Sequence, residues 1–343
     1  VSNAPTKTGV LLVNVGTPEA PRAPEVRRYL REFLSDPYVI DLSPIGRWML
    51  LNMVILPFRP QKSAKAYAKV WRDDGSPLLV FSQQFTEALQ EHLGDSFDVQ
   101  LAMRYGNPSL PETLQGFKDR GIDRLILFPL YPQYALSSTE TSIQAVKALS
   151  AELWDDLDLT IIPPFFDNPG LAKSVSELGR PVVDHVQPDH VLFSFHGLPE
   201  RHIRKCDPTG THCFQAEDCC AYVGPNNPQC YRAQCFATAR NVAAALRLTE
   251  DQWTVTFQSR LGRTPWIQPY TDVVLPELAE RGVKRLVVFC PAFVADCLET
   301  LEEIGIRARE DFLAGGGEEL QLVPAVNAHP TWVQAASELV QNA

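Results

Sequence analysis

The chain has 343 residues, 45% of them hydrophobic and 21% charged, with a formal net charge of −10. That length allows two domains, each able to bury a core without help from disulfides. The acidic balance argues against a nucleic-acid surface, which needs clustered Lys and Arg against phosphates; the small cluster at Arg28 and Arg31 reads as a solvated helix face.

Residues 1–8 lack the basic-then-apolar pattern of a secretory signal. The expected location is therefore the cytoplasm, where thiols stay reduced and a disulfide framework is not expected. The first apolar run, Gly9-Val10-Leu11-Leu12-Val13-Asn14-Val15-Gly16, has no period-two alternation, so it reads as a strand buried on both faces. Residues 48–58 are apolar but fall short of the ~20 residues needed to cross a bilayer. This segment contains Asn52 and is flanked by Arg47 and Arg59. It reads either as a buried helix or as an exposed apolar lip, at about 45–60, that touches a membrane surface or a greasy ligand. Residues 82–93 carry Phe85, Ala88, Leu89 and Leu93 at helical spacing, and residues 236–248 read the same way.

The second half repeats the first. Gly9-Val10-Leu11-Leu12-Val13-Asn14-Val15-Gly16-Thr17-Pro18 resembles His190-Val191-Leu192-Phe193-Ser194-Phe195-His196-Gly197-Leu198-Pro199. Met103-Arg104-Tyr105-Gly106 answers to Ser259-Arg260-Leu261-Gly262, and Arg124-Leu125-Ile126-Leu127-Phe128 to Arg285-Leu286-Val287-Val288-Phe289, in the same order. Strands alternating with helices predict parallel sheets with right-handed crossovers. The reading is α/β: two doubly wound, Rossmann-like domains whose sheets face a shared cleft. The expected bounds are residues 1–166, then 167–330 with a cysteine-rich insert at 206–235, then a C-terminal helix at 331–343 that packs back on the first domain. In such sheets ligands gather at the carboxyl ends of the strands.

Two constellations stand at those ends. His196 closes the run at 191–195 and precedes Gly197, which leaves space beside it. Asp296, Glu299 and Glu303 follow the run at 286–289, at a spacing that puts all three carboxylates on one face of an α-helix. An imidazole facing a carboxylate row can hold and pass a divalent cation or remove protons from a substrate. Metal insertion into a macrocycle requires both.

The residues now in hand resemble the ferrochelatase family, in its bacterial protoporphyrin type. The resemblance is carried by Leu12-Val13-Asn14-Val15-Gly16-Thr17-Pro18, Asp73-Asp74-Gly75-Ser76-Pro77-Leu78, Met103-Arg104-Tyr105-Gly106, Pro129-Leu130-Tyr131-Pro132-Gln133-Tyr134, Ser194-Phe195-His196-Gly197-Leu198-Pro199, Phe257-Gln258-Ser259-Arg260-Leu261-Gly262, Trp266, and Phe293-Val294-Ala295-Asp296-Cys297-Leu298-Glu299-Thr300-Leu301. It implies insertion of Fe2+ into protoporphyrin IX, giving protoheme and two protons as the terminal step of haem biosynthesis. It implies His196 and Glu299 as the central pair that also meets the substrate iron, with Glu303 and Asp296 on an acidic path for protons or metal. It implies porphyrin contacts at Tyr67, Ser76, Arg104, Tyr105, Tyr131 and Trp266. One departure is Cys297, where many members of that family carry His. The apolar lip favours protoporphyrin, with two propionates, over coproporphyrin, with four, and favours peripheral membrane contact.

Six of the eight cysteines fall between 206 and 235: Cys206, Cys213, Cys219, Cys220, Cys230 and Cys235. Pro208, Gly210, Gly224, Pro225 and Pro228 mark the segment as loop. Zinc is weakened as a reading by the absence of paired C-x2-C knuckles. The resemblance implies a [2Fe–2S] cofactor, since some members of that family hold one in an internal insert. The expected ligands are Cys213, Cys220, Cys230 and Cys235, with Cys219 and Cys206 in reserve, because adjacent Cys219 and Cys220 are expected to point differently. Alternatives are a coproporphyrin III ferrochelatase, a chelatase for cobalt or nickel, and a non-catalytic haem-binding or iron–sulfur sensing protein on the same scaffold. A monomer and a homodimer fit equally.

Overall fold

The computed structural model describes residues 7–262 and 264–343. Most of the segment searched for a leader signal therefore lies outside the described residues. Two four-stranded parallel sheets organise the chain. The first is built from β1 (Thr8–Gly16), β2 (Phe97–Tyr105), β3 (Arg124–Pro129) and β4 (Asp158–Ile161), in the order β2-β1-β3-β4. The second is built from β5 (His190–His196), β6 (Trp253–Gln258), β7 (Arg285–Phe289) and β8 (Glu319–Leu322), in the order β6-β5-β7-β8. The orders match strand for strand, as the internal repeat predicts. β1 and β5 are central in their sheets and buried along almost their whole length, which explains why both read as unbroken apolar runs.

The chain divides into two compact units. One comprises residues 1–131, 136–163 and 333–343; the other comprises 132–135 and 164–332. The first unit's core joins Leu11, Val13 and Leu127 of the sheet to Leu110, Leu114 and Phe117 of the helix Leu110–Asp119. The second joins Leu192, Leu286 and Val288 to Leu275, Leu278 and Phe312.

Matching glycines end the two central strands. A Cβ on Gly16, whose φ is +107°, would lie 1.8 Å from the carbonyl oxygen of Tyr105. A Cβ on Gly197 would lie 2.7 Å from the carbonyl oxygen of Gln258. At both places the chain leaves the sheet in close contact with the neighbouring strand, and only glycine permits that approach. The repeat pairs Gly16 with Gly197 and Val15 with His196, so the imidazole belongs to the second copy alone.

The helix expected at 82–93 begins earlier, as Pro77–Leu93, and that expected at 236–248 runs Tyr231–Leu246. The segment 44–70 is not a buried helix. It forms a short helix Pro44–Met49, a π-helical turn Leu50–Ile55 and a helix Leu56–Val70. Ile45 and Phe58 are each 76% exposed, and Trp48 and Met53 each 61%. Leu51 and Leu56 anchor the segment inside. The exposed-lip alternative is the one the structure adopts. Among the described residues no helix is long and apolar enough to cross a membrane.

Candidate functional site

In the second unit, His196 is the last residue of β5, where the strand feeds out of the sheet. Its Nδ1 lies 2.7 Å from the carbonyl oxygen of Gly197. A carbonyl only accepts, so Nδ1 carries the proton and donates. The neutral ring therefore keeps its lone pair on Nε2, the atom that can take a proton or bind a metal. Phe293 stands edge-on to the imidazole at a centroid separation of 6.4 Å.

The acidic row departs from the expected α-helix. Residues Glu299–Ala308 form a π-helix, with Asp296 in the irregular segment before it. The wider i→i+5 winding brings residues four and five apart together. Arg307 accordingly meets Glu302 at 3.3 Å and Glu303 at 3.8 Å. Glu303 also accepts from the Ser259 N–H at 2.9 Å, from the Ser259 hydroxyl at 2.5 Å and from Gln258 Nε2 at 3.4 Å. Ser259 has a φ of +66°, a left-handed conformation that serves these two bonds. Gln258 is buried and makes the hub of this corner. Its Oε1 accepts from Ser194 at 2.8 Å, and its Nε2 donates to the Glu299 carbonyl at 2.9 Å.

Asp296 is buried and its carboxylate is fully engaged. It accepts from Thr300 at 2.8 Å, from Asn327 Nδ2 at 2.9 Å and from the Ala325 N–H at 3.2 Å. Those bonds hold the entrance to the π-helix, so Asp296 does not share a helical face with Glu299 and Glu303. Cys297 is buried as well. Burial first, then the neighbouring Glu299 carboxylate, push its thiol well above the ordinary range, leaving it a neutral group hydrogen-bonded to Glu299. Trp266 is fixed by a 2.9 Å bond from its indole N–H to the Leu261 carbonyl.

In the first unit, β1 and β2 end beside a second set of expected residues. Thr17 and Ser76 hydroxyls are 2.7 Å apart, and Ser76 occupies the position just before the helix Pro77–Leu93. Asp36 gathers Arg104 Nη2 at 2.6 Å, the Tyr105 hydroxyl at 2.7 Å and the Thr141 hydroxyl at 2.6 Å. These residues line a cavity of about 370 Å3. The Arg104 guanidinium also stacks on Tyr105 at 4.5 Å. Burial raises the phenols of Tyr105 and Tyr131, so both remain neutral donors. Tyr131 lies 3.5 Å from the Ser142 hydroxyl, and Tyr67 is buried edge-on to Trp71.

The cysteine segment groups its sulfurs differently from expectation. Cys219 and Cys220 Sγ atoms are 3.6 Å apart, and Cys220 and Cys230 Sγ atoms 3.8 Å. Cys213 is hydrogen-bonded to Cys230, and burial raises its thiol to about 11. Cys219 is thus inside the sulfur group, and its side chain does not diverge from that of Cys220. Cys235 is fully buried one turn into the helix Tyr231–Leu246, where it bonds to Tyr231. Among the described residues, no set of three or more His, Cys, Asp or Glu is arranged to hold a metal ion.

Comparison with known proteins settles the family. Residues 7–343 match the ferrochelatase family. The chain is 48% identical over 335 residues to a ferrochelatase of Coxiella burnetii, covering 98% of this chain and 93% of that one. The chain belongs to the ferrochelatase family. It is also 49% identical over 341 residues to a ferrochelatase of Stutzerimonas stutzeri, covering 98% of each. SirB from Bacillus subtilis with Fe3+ has the same fold, at a TM-score of 0.54 and 11% identity over 98% of this chain and 95% of that one.

Within this ferrochelatase scaffold, four residues take places that the sequence alone does not show. Gln258 and Ser259 lie inside a recognised segment, but nothing in their spacing marks a hub. Asp36 follows the helix Ala23–Ser35 with no periodic signal of burial. Tyr231 is hidden by the cysteines around it; its hydroxyl donates to the His196 carbonyl at 2.8 Å.

Proposed function

We propose that this chain inserts Fe2+ into protoporphyrin IX. The observation that carries the reading is the tautomer of His196, whose Nε2 lone pair stands at the carboxyl end of β5 in the unit that also holds Glu299 and Glu303. The porphyrin's two pyrrole protons leave and Fe2+ takes their place, with no change in oxidation state. His196 Nε2 accepts a pyrrole proton through its free lone pair. Glu299 meets the incoming iron together with His196, and Glu303 passes protons or metal towards solvent, held by Ser259 and Gln258. Asp296 fixes the start of the π-helix that presents them. Tyr67, Ser76, Arg104, Tyr105, Tyr131 and Trp266 are the side chains offered to the macrocycle. Bending it exposes the pyrrole lone pairs, a strain supported by binding energy elsewhere on the ring.

The exposed Ile45, Trp48, Met53 and Phe58 suit a substrate with two vinyls and only two propionates. They also suit peripheral contact with a membrane.

The cysteine segment fits a [2Fe–2S] cluster by its donor set. Four buried thiols stand in sequence, and a tetrahedral metal with bonds of about 2.3 Å to sulfur has ligands about 3.8 Å apart. The Cys220–Cys230 distance is 3.8 Å. Cys213, Cys219, Cys220 and Cys230 are the residues that would hold it. The cluster supplies one-electron redox chemistry when bound, and metal insertion needs none, so no step above passes through it.

The test is an anaerobic assay with Fe2+ and protoporphyrin IX, run beside coproporphyrin III, after recording the visible spectrum of the protein alone. Haem formation that is lost in His196→Ala, faster on protoporphyrin, with iron–sulfur absorbance beforehand, is the expected result. Tight haem binding without haem formation would overturn the catalytic reading.

A further inference from the structure

Tyr231 has no place in the reaction just described, yet its hydroxyl reaches the strand that carries it. The residue opens the helix Tyr231–Leu246 immediately after Cys230, which caps that helix. The ladder between β5 and β7 ends at the Phe193–Phe289 pair. The His196 carbonyl lies three residues beyond, past the last strand partner on that side. The Tyr231 hydroxyl takes it up at 2.8 Å, while the N–H of the same peptide, that of Gly197, is held by a 2.8 Å bond to the Gln258 carbonyl. The main chain at residues 196–197 is thus held from both sides.

This grip fixes the ring as well as the backbone. His196 Nδ1 donates to the carbonyl of Gly197, one peptide further along, so the imidazole is tied to the stretch of chain that leaves the gripped peptide. Tyr231 has one hydroxyl proton, and the His196 carbonyl receives it. At the other end of the first helical turn, Cys230 Sγ is 3.8 Å from Cys220 Sγ.

We propose that Tyr231 is the positioning residue for His196, and that through it the arrangement of the cysteine segment sets the aim of the imidazole. The proposal rests on the reading of His196 as the base.

Tyr231→Phe keeps the ring and removes the donor. The expected result is a fall in kcat of about tenfold, the scale of one buried hydrogen bond, with KM for the porphyrin unchanged. The Cε1–H resonance of His196, identified among seven histidines by its absence in His196→Ala, shifts at constant pH. A purely structural tyrosine would lower the melting temperature and leave both readouts in place. Cys230→Ser lowers kcat in the wild type but adds nothing in the Tyr231→Phe background, because the link is already cut. Additive effects would overturn the link, and an unmoved resonance with wild-type kcat would overturn the positioning role. Should Tyr231→Phe fail to fold, Cys230→Ser shifts the same resonance, and no shift in Cys230→Ser overturns the proposal. If His196→Ala still forms haem, the base reading fails, while the resonance shift still reports whether Tyr231 holds His196.

Discussion

His196 and Asp36 show how differently two candidate functional side chains announce themselves. His196 ends an apolar run in one copy of an internal repeat and is replaced by Val15 in the other, so the asymmetry marks it. Asp36 carries no such mark, because its burial depends on Arg104, Tyr105 and Thr141, which arrive from 68 to 105 residues away. Asp36→Asn keeps the shape but leaves a guanidinium facing a neutral amide and a surplus of donors. Loss of the charged acceptor should lower stability by about 2 kcal/mol, read as a shift in the urea midpoint. It should also raise KM for protoporphyrin more than it lowers kcat, since the proposed part of Arg104 and Tyr105 is to bind the ring and not to touch the protons in transit. A variant with wild-type stability and KM would show that the donors find other partners.

At the scale of elements, the regular parts were readable and the irregular ones were not. Unbroken apolar runs gave β1, β3, β5 and β7, because strands central to a doubly wound sheet are covered on both faces. The π-helix Glu299–Ala308 has the same apolar spacing as an α-helix over a turn or two, so its winding cannot be read from periodicity. Asp296 leaves the carboxylate row because it lies before that winding begins, held by Thr300, Asn327 and the Ala325 N–H. The cysteine loop is organised by Asp207, a residue without any motif. Its carboxylate accepts from the backbone N–H groups of Thr209, Gly210, His212 and Cys213 and from the Thr209 hydroxyl, and those bonds hold it well below the usual carboxylate range. Asp207→Ala should therefore loosen the loop that presents Cys213. The expected outcome is several-fold faster proteolytic cleavage within 206–230 and weaker iron–sulfur absorbance, with strands and overall fold retained by circular dichroism. Unchanged cleavage would assign the loop's order to the sulfur group alone.

Taken as a whole molecule, the distribution of charge argues for a surface that the net value conceals. The chain carries −10, yet residues 44–70 contain Arg47, Arg59, Lys62, Lys65 and Lys69 and no acid. Lys62, Lys65 and Lys69 recur at helical spacing on the helix Leu56–Val70, and all three are exposed. The exposed Ile45, Trp48, Met53 and Phe58 belong to the same segment. Apolar side chains flanked by cations form the pattern of an interfacial segment that lies on an anionic bilayer, each cation near such a surface contributing about 1 kcal/mol. Vesicles containing anionic lipid should therefore bind the protein at low salt, with a blue shift of tryptophan emission that is lost in Trp48→Phe. Neutral vesicles should bind it more weakly. Reversing Lys62, Lys65 and Lys69 to Glu should abolish the preference for anionic lipid, and adding salt should weaken wild-type binding within a Debye length of about 10 Å at 0.1 M. Replacing Phe58 with Ser should weaken binding to both kinds of vesicle, because insertion of the apolar tip does not depend on headgroup charge. Equal binding to neutral and anionic vesicles would leave apolar insertion as the sole attraction, and an unshifted Trp48 would remove the lip from the membrane altogether.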